Sequence, residues 1–216
     1  MIPVKRVSEH TIGRLSRYRR LLADLLGAGV TSVYSHELAR LTGRTAAQIR
    51  RDLMAIGCSG SSKRGYHVDA LVESIGRFLD DPAGRRLGLV GVGHLGRALI
   101  ARVAGRRPNL ALVAAFDRDP NLAGEVIHGC PCHPMAELAR VVADERISVA
   151  LLAVPAAEAN KVAEQLVLSR IRGIVNFAPI HLQVGPEVHV EEVDLTMSLE
   201  KAVYFAAEPP AGKPAE

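Results

Sequence analysis

The feature that most constrains the fold is a glycine-spaced turn that follows a short apolar run. The run Leu87–Val90 is apolar, and residues 91–96 then read Gly-Val-Gly-His-Leu-Gly. The first glycine permits a tight turn, the second lets a pyrophosphate approach the backbone, and the third allows close packing of helix on strand. Such turns also occur without a nucleotide, but the pattern predicts a strand–turn–helix unit whose helix N-terminus faces a dinucleotide.

Short apolar runs alternate with helical patterns beyond this turn. The runs cover residues 87–90, 110–116, 149–154 and 173–177, and the helical patterns cover 95–103, 135–143 and 157–169. Continuous apolar runs are typical of parallel strands buried on both faces. The stretch from Asp80 to Gly84 is the clearest boundary. We therefore predict an α/β chain with a doubly wound Rossmann sheet over 82–195.

The end of the chain departs from this alternation. A last strand is predicted over residues 188–193, followed by a short apolar helix over 196–206. The Pro-rich tail, 207–216, is expected to be disordered.

An acidic residue stands where a nucleotide ribose would lie. Asp117 closes the second predicted strand, 21 residues after Gly96. A carboxylate there binds the ribose hydroxyls and repels a 2′-phosphate, which favours NAD(H) over NADP(H), although Arg118 could offset the repulsion. Loops after the later strands should line the same crevice. The predicted cofactor-binding set is Gly91, Val92, Gly93, His94, Leu95, Gly96, Asp117, Arg118, Val154, Pro155, Asn176 and Phe177.

The first 81 residues have the pattern of a winged helix-turn-helix domain. Helical periodicity covers 11–26, a second helix is predicted from an N-cap at Ser35, and a turn at Gly43 leads to a third helix with the Thr45–Gln48 capping pattern. The loop over 57–65 is small, polar and basic, as in a wing. The side chains predicted to contact DNA are Thr45, Ala46, Gln48, Arg50 and Arg51 on the third helix and Lys63 and Arg64 in the wing.

The uneven charge supports this division of roles. Residues 1–86 contain fifteen Lys and Arg against eight Asp and Glu, a net charge of +7, whereas residues 87–216 have a net charge of −3. A basic front half predicts a polyanionic partner, with a merely solvated basic face as the alternative. No apolar run approaches the roughly 20 residues of a membrane span, and the first residues do not resemble a signal peptide, so we expect a cytoplasmic protein.

The three cysteines do not suggest a disulfide framework. Cys130 and Cys132 could form a metal or redox pair, but no second pair lies nearby in sequence, so structural thiols in a short strand are favoured and no metal is expected. Cys58 falls in the predicted wing, and no role follows from its position.

Two other functions compete with DNA binding. A small NAD-dependent dehydrogenase would fit the glycine turn, but the chain leaves no room for a substrate domain and shows no proton-transfer pattern. A nucleotide- or CoA-binding interaction module would instead use the basic helices for a protein. We expect no catalytic residue.

Together these motifs resemble the Rex family of redox-sensing repressors. The resemblance rests on segments 35–39, 45–53, 91–96, 115–120, 153–155, 173–179 and 193–195 and extends to about Phe205. It implies a homodimer on operator DNA, a C-terminal helix swapped onto the partner, and DNA release when NADH closes the dimer, with NAD⁺ competing without closing it.

The family pattern also implies a coupling pair and shows two departures. By position, Arg20 on the first helix and Asp194 before the swapped helix would pair and couple nucleotide state to the DNA-binding domain. The wing lacks the family's aromatic residues, and its basic pair is displaced. Ala101-Arg102-Val103 stands where some members have a nicotinamide-sensing Tyr.

Overall fold

The computed structural model describes residues 7–61, 63–81, 84–103 and 110–207. These residues fall into two compact units, an N-terminal unit within 1–82 and a C-terminal unit within 83–216. Apart from Ala207, the predicted tail at 207–216 lies outside the described residues. Each unit has its own apolar core.

The N-terminal unit is a winged helix-turn-helix. Its helices are α1 (Glu9–Gly27), α2 (Ser35–Thr42), α3 (Ala46–Ala55) and α4 (Val68–Leu79), and the strands β1 (Ser32–Val33) and β2 (Tyr66–His67) pair antiparallel. The turn between α2 and α3 depends on Gly43, whose φ of 65° lies in the left-handed region that favours glycine.

The core of the N-terminal unit follows from helical spacing. Leu15, Tyr18 and Leu22 recur at three- and four-residue intervals on α1 and are completely buried. Ile49 and Leu53 of α3 are equally buried and share this core. The third helix is therefore held against the first by an apolar face, which leaves its opposite face exposed.

A buried charged network also joins α3 to α1. The carboxylate of Asp52 is 2% exposed and accepts two hydrogen bonds from Arg14, at 2.6 and 2.7 Å. The Tyr18 hydroxyl donates a third bond at 2.9 Å. Burial alone would raise the pKa of Asp52, but hydrogen bonds from Arg14, Gln48 and Tyr18 outweigh it and lower the pKa below its ordinary value of 3.8. Burial and the bond to Asp52 raise the pKa of Tyr18 to about 12.

The predicted N-cap at Ser35 is wrong. Helix α2 begins at Ser35 itself, after the extended residue Tyr34. The backbone N–H of Tyr34 donates to the Glu37 carboxylate at 2.7 Å. This bond gives a partner to one of the N–H groups at the start of the helix. The Ser35 hydroxyl instead accepts a hydrogen bond from Arg50 at 3.1 Å.

The C-terminal unit is a doubly wound sheet. Its strands are β3 (Arg85–Val90), β4 (Leu110–Asp117), β5 (Val126–Ile127), β6 (Cys130–Pro134), β7 (Ile147–Leu152), β8 (Gly173–Asn176) and β9 (His189–Glu192). They lie in the order β5-β6-β4-β3-β7-β8-β9, and all pairs are parallel except β5 with β6. The chain adds β4, β6 and β5 on one side of β3 and β7, β8 and β9 on the other, and this switch between β3 and β7 opens a crevice at their carboxyl ends.

The helices of this unit include one departure from the expected pattern. The α-helices are α5 (His94–Val103), α6 (Leu138–Asp144), α7 (Ala156–Leu168) and α8 (Leu195–Ala207). The helix predicted over 135–143 instead begins as a separate 3₁₀ turn, Met135–Glu137, directly after the strand that ends at Pro134. Tightened first turns of this kind are common at helix ends.

Cys130 and Cys132 are structural thiols in β6. Both are 1% exposed and belong to the core on one side of the sheet. Burial raises the pKa of Cys130 to about 11 and also raises that of Cys132. Few thiolates therefore form at neutral pH, so both thiols are poor nucleophiles.

The last helix, α8, exposes its apolar side chains. Met197, Leu199, Val203, Tyr204 and Phe205 are 45–69% exposed. Exposed apolar side chains in this number are typical of a helix that packs against a partner. Among the described residues, no helix combines the length and hydropathy needed to cross a membrane.

We predict that Asp52→Asn lowers the free energy of unfolding at neutral pH by about 3–5 kcal/mol, because it leaves the Arg14 charge without its partner. The folded pKa of Asp52 is lowered, so the difference from wild type should be complete above the unfolded value of 3.8 and shrink as the pH falls below it. Urea unfolding of both proteins across this range measures the difference. Glu73→Gln, at an exposed pair, is the control, and a difference independent of pH would contradict the prediction.

Candidate functional site

A cavity of about 430 Å³ lies at the carboxyl ends of the central strands, within the C-terminal unit. It occupies the crevice between β3 and β7, where open α/β sheets bind ligands. It is lined by Val90, Gly91, Gly93, Asp117, Arg118, Met135, Ala153, Val154, Pro155, Glu158, Lys161, Val162 and Gln165. Six of the predicted cofactor-binding residues are therefore brought together: Gly91, Gly93, Asp117, Arg118, Val154 and Pro155.

Backbone amides hold the Asp117 carboxylate in place. The N–H of Val92, inside the glycine turn, donates to Oδ2 at 2.6 Å. The N–H of Asp119 donates to Oδ1 at 2.9 Å. Each oxygen keeps a further lone pair for a ligand hydroxyl. The carboxylate therefore occupies one fixed position at the edge of the cavity.

The three glycines have separate structural roles. Gly91 has a φ of 97°, and a Cβ there would lie 2.4 Å from the carbonyl oxygen of Ala153. A Cβ at Gly96 would lie 1.9 Å from the carbonyl oxygen of Gly91, so this glycine permits α5 to pack on the turn. Nothing lies within 4 Å of a Cβ at Gly93, which faces the cavity. A pyrophosphate could therefore approach the backbone at Gly93, beside the N-terminus of α5.

The other residues of the turn act through the backbone or through packing. The Val92 side chain is buried, and only its amide reaches Asp117. His94 and Leu95 are exposed in the first turn of α5. Their predicted contacts with a cofactor remain predictions.

One wall of the cavity was not predicted from the sequence. Helix α7 contributes Glu158, Lys161 and Gln165 at helical spacing. Met135, in the 3₁₀ turn after β6, also lines the cavity. The three- and four-residue intervals of the α7 residues were visible in the sequence and could have identified this face. The Arg118 guanidinium forms a long ion pair, at 3.9 Å, with the Glu158 carboxylate of α7.

Asn176 organises the loop after β8. It is fully buried, and its Nδ2 donates to the carbonyl oxygens of Ala178 and Ile180 and, at 2.6 Å, to the Glu192 carboxylate. Its Oδ1 accepts from the N–H of Ala178 at 2.9 Å. Phe177 packs against the core. Contact of Asn176 or Phe177 with a cofactor stays a prediction.

The exposed face of α3 carries the predicted DNA-reading residues. Thr45 caps the helix, and its hydroxyl accepts from the N–H of Gln48 at 3.2 Å. Arg50 and Arg51 are exposed, while Ala46 and Gln48 are half-buried. The helix N-terminus, a hydroxyl and two guanidinium groups thus share one surface, which suits a nucleic acid.

A tight turn presents the basic pair of the wing. Ser61 and Gly65 form a bridge, and the Ser61 hydroxyl accepts from the N–H groups of Lys63 and Arg64 at 3.3 Å. The Tyr34 hydroxyl donates to the Lys63 carbonyl at 2.8 Å. Lys63 and Arg64 are both exposed at the tip. Cys58 packs against the core below the wing.

The predicted coupling pair lies in different units. Arg20 is exposed on α1. Asp194 precedes α8, and its Oδ1 accepts from the N–H of Met197 at 2.8 Å, which caps that helix. Pairing of Arg20 with Asp194 remains a prediction.

Two family models match the chain. Residues 84–180 match the family described as "CoA binding domain". Residues 6–53 match "Putative DNA-binding protein N-terminus". The two matches fall on the cavity-bearing sheet and on the helix-turn-helix.

Curated relatives cover nearly the whole chain. The redox-sensing transcriptional repressor Rex of Brevibacillus brevis is 36% identical over 201 residues, which span 93% of this chain and 97% of that protein. The Rex of Chloroflexus aurantiacus is 41% identical over 91% of this chain and 92% of that protein. The chain belongs to the Rex family of redox-sensing transcriptional repressors.

Solved Rex-family structures have the same fold. The repressor RSP in complex with β-NAD⁺ and operator DNA matches with a TM-score of 0.85 at 32% identity, over 93% of this chain and 92% of that one. RSP in complex with β-NADH matches with a TM-score of 0.83 at 31% identity, over 94% and 95%. Rex-family proteins are transcriptional repressors rather than enzymes, so the family confirms the expectation that this chain is not an enzyme.

We predict that two alanine substitutions in the glycine turn differ in their effect on stability. Gly96→Ala should lower the melting temperature, because its Cβ would collide with the Gly91 carbonyl. Gly93→Ala, the matched control, should melt near the wild-type temperature, because its Cβ enters open space. Circular dichroism melting of both variants measures this. A stable Gly96→Ala protein would show that the turn does not pack as described.

Proposed function

We propose that this chain is an NADH-responsive repressor that binds operator DNA as a homodimer and leaves it when NADH binds. The observation that carries the proposal is the fixed Asp117 carboxylate beside an open glycine turn, on a chain that also has a basic helix-turn-helix. One element suits a nucleotide and the other suits DNA. We infer a cytoplasmic location, because operator DNA lies there.

The cavity favours NAD(H) over related nucleotides. The Asp117 carboxylate would accept hydrogen bonds from both ribose hydroxyls and repel a phosphate on either of them. This disfavours the 2′-phosphate of NADP(H) and also the 3′-phosphate of CoA. Arg118 also lines the cavity and would offset part of the repulsion, but Glu158, 3.9 Å away, competes for its guanidinium. The phosphates would lie at Gly93, where the backbone is accessible.

DNA would be bound by α3 and the wing. The exposed Arg50 and Arg51 would reach base edges or phosphates in the major groove, with Thr45 and the N-terminus of α3 on the backbone. Lys63 and Arg64 would contact the adjacent backbone or minor groove. The net charge of +7 over residues 1–86 adds a salt-dependent attraction. A protein-binding module would lack that steep loss of affinity with salt.

The homodimer rests on the exposed apolar residues of α8. A helix that exposes Leu199, Val203 and Phe205 leaves apolar area that a second copy could bury. We infer that α8 swaps onto the partner and that the two Rossmann sheets also meet. A symmetric dimer would place two recognition helices on two half-sites.

NADH would act by changing the spacing of these two helices. RSP is described both with β-NAD⁺ and operator DNA and, separately, with β-NADH. By analogy, NAD⁺ would bind this chain without displacing DNA, and NADH would favour a dimer that no longer fits two half-sites. Pairing of Arg20 with the partner's Asp194 would couple nucleotide binding to the orientation of the DNA-binding domain.

We predict that NADH, but not NAD⁺, releases this protein from the DNA upstream of its own operon in a gel shift. Asp117→Ala should require about 10- to 100-fold more NADH for the same release, because hydrogen bonds to a charged group are lost. Glu164→Gln, at an exposed carboxylate of α7 that does not line the cavity, is the control and should respond to NADH like the wild type. A complex that persists in millimolar NADH would disprove the switch.

We predict that Val203→Glu combined with Phe205→Glu converts the dimer to a monomer. Both side chains are exposed on α8, so charge there should oppose burial against a partner without disturbing the monomer fold. Sedimentation velocity measures the change in mass, with Lys201→Glu on the same helix as the control. A wild-type protein that sediments as a monomer would rule out the dimer.

A further inference from the structure

The Gln48 side chain is engaged at both ends of its amide. Its Nε2 donates to Asp52 Oδ1 at 2.8 Å, and its Oε1 accepts from Arg51 Nη2 at 3.1 Å. The three residues lie on one face of α3 at the three- and four-residue spacings that bring side chains together. Gln48 therefore links a buried carboxylate to an exposed guanidinium.

The inner end of this chain of hydrogen bonds is rigid. Asp52 is held by two bonds from Arg14 and one from the Tyr18 hydroxyl, and both Asp52 and Tyr18 are buried. The same Arg14 also donates to the Thr11 hydroxyl at 2.9 Å. A partner fixed by this many contacts can hold the amide of Gln48 in one rotamer and one orientation.

These bonds restrict direct base reading by Gln48. A glutamine that reads adenine must offer its Nε2 and Oε1 together to one base edge. One Nε2 hydrogen and one Oε1 lone pair are already used, and turning the amide away from Asp52 to present both atoms would remove a donor from a buried carboxylate, which is costly. Arg51 is less restricted, because its guanidinium has several N–H donors and only one is used on Gln48.

We propose that Gln48 is a positioning residue, which is anchored by Asp52 and orients Arg51 to read a base edge. The inference rests on the proposed function, because it assumes that α3 reads DNA. It changes the sequence-based assignment of Gln48 from a base contact to a support for one. An arginine held in this way loses less side-chain freedom when it meets a guanine.

Selection from a pool of randomised DNA duplexes tests the proposal. Full-length wild type, Gln48→Met, Arg51→Ala and the double variant are each used to enrich duplexes, which are then sequenced. Gln48→Met keeps the length of the side chain and removes both hydrogen bonds. Arg64→Ala in the wing is the control, and we expect it to weaken binding without changing the base preferences.

We expect Arg51→Ala to reduce the preference at one base pair of each half-site by about 5- to 150-fold. Gln48→Met should reduce the preference at that same base pair, and the double variant should be no worse than Arg51→Ala, because the two residues act in series. Gln48→Met should melt at a lower temperature, because Asp52 loses a donor, and cooperative melting above the temperature of the selection would exclude an unfolded protein.

Other outcomes would overturn the inference in distinguishable ways. If Gln48→Met relaxes a different base pair, Gln48 reads its own base. If it changes nothing, or if the two effects add in the double variant, Gln48 does not act through Arg51. If wild type enriches no sequence at all, the proposed function itself is wrong, and this inference is wrong with it.

Discussion

The nucleotide site depends on the hydrogen bond between the Val92 amide and the Asp117 carboxylate. This bond of 2.6 Å joins the glycine turn after β3 to the end of β4, so the phosphate-facing and ribose-facing parts of the cavity position each other. The second bond, from Asp119, leaves the carboxylate little freedom to rotate. Preorganisation of this kind reduces the entropy lost when a ligand binds. The same geometry is why a phosphate on the ribose would be rejected rather than accommodated.

A second carboxylate has the opposite role in the N-terminal unit. Asp52 is buried and fully occupied by protein donors, so it organises side chains instead of binding a ligand. In the sequence it is one acid after two arginines, which reads as an ordinary exposed helix position. Its partner Arg14 is 38 residues away, and no local pattern connects the two. Asp117 and Asp52 differ in the groups that surround them. A single sequence does not reveal contacts between residues that lie far apart along the chain.

The features that could be predicted are those that depend on local rules. The glycine turn, the apolar strands and the turn at Gly43 each follow from backbone sterics or from periodicity. Side-chain partners could not be predicted in the same way. Ser35 has a side chain that often caps helices. Helix α2 nevertheless begins at Ser35 itself, and Tyr34 occupies the extended N-cap position before it. The predicted contact of Asn176 with a cofactor stays a prediction, and its bonds to the loop and to Glu192, 16 residues further on, had no signal in the sequence.

The bonds of Asn176 connect two parts of the molecule that the function must relate. The loop that they order follows β8 at the carboxyl edge of the sheet, beside the strands that bear the cavity. Glu192 ends β9, and only two residues separate it from α8, whose first turn is capped by Asp194. The Glu192 carboxylate also lies 3.3 Å from His181 of the same loop. Because a ligand can shift an equilibrium only through contacts that differ between two states, a displacement of this loop would have to break buried hydrogen bonds or carry the base of α8 with it.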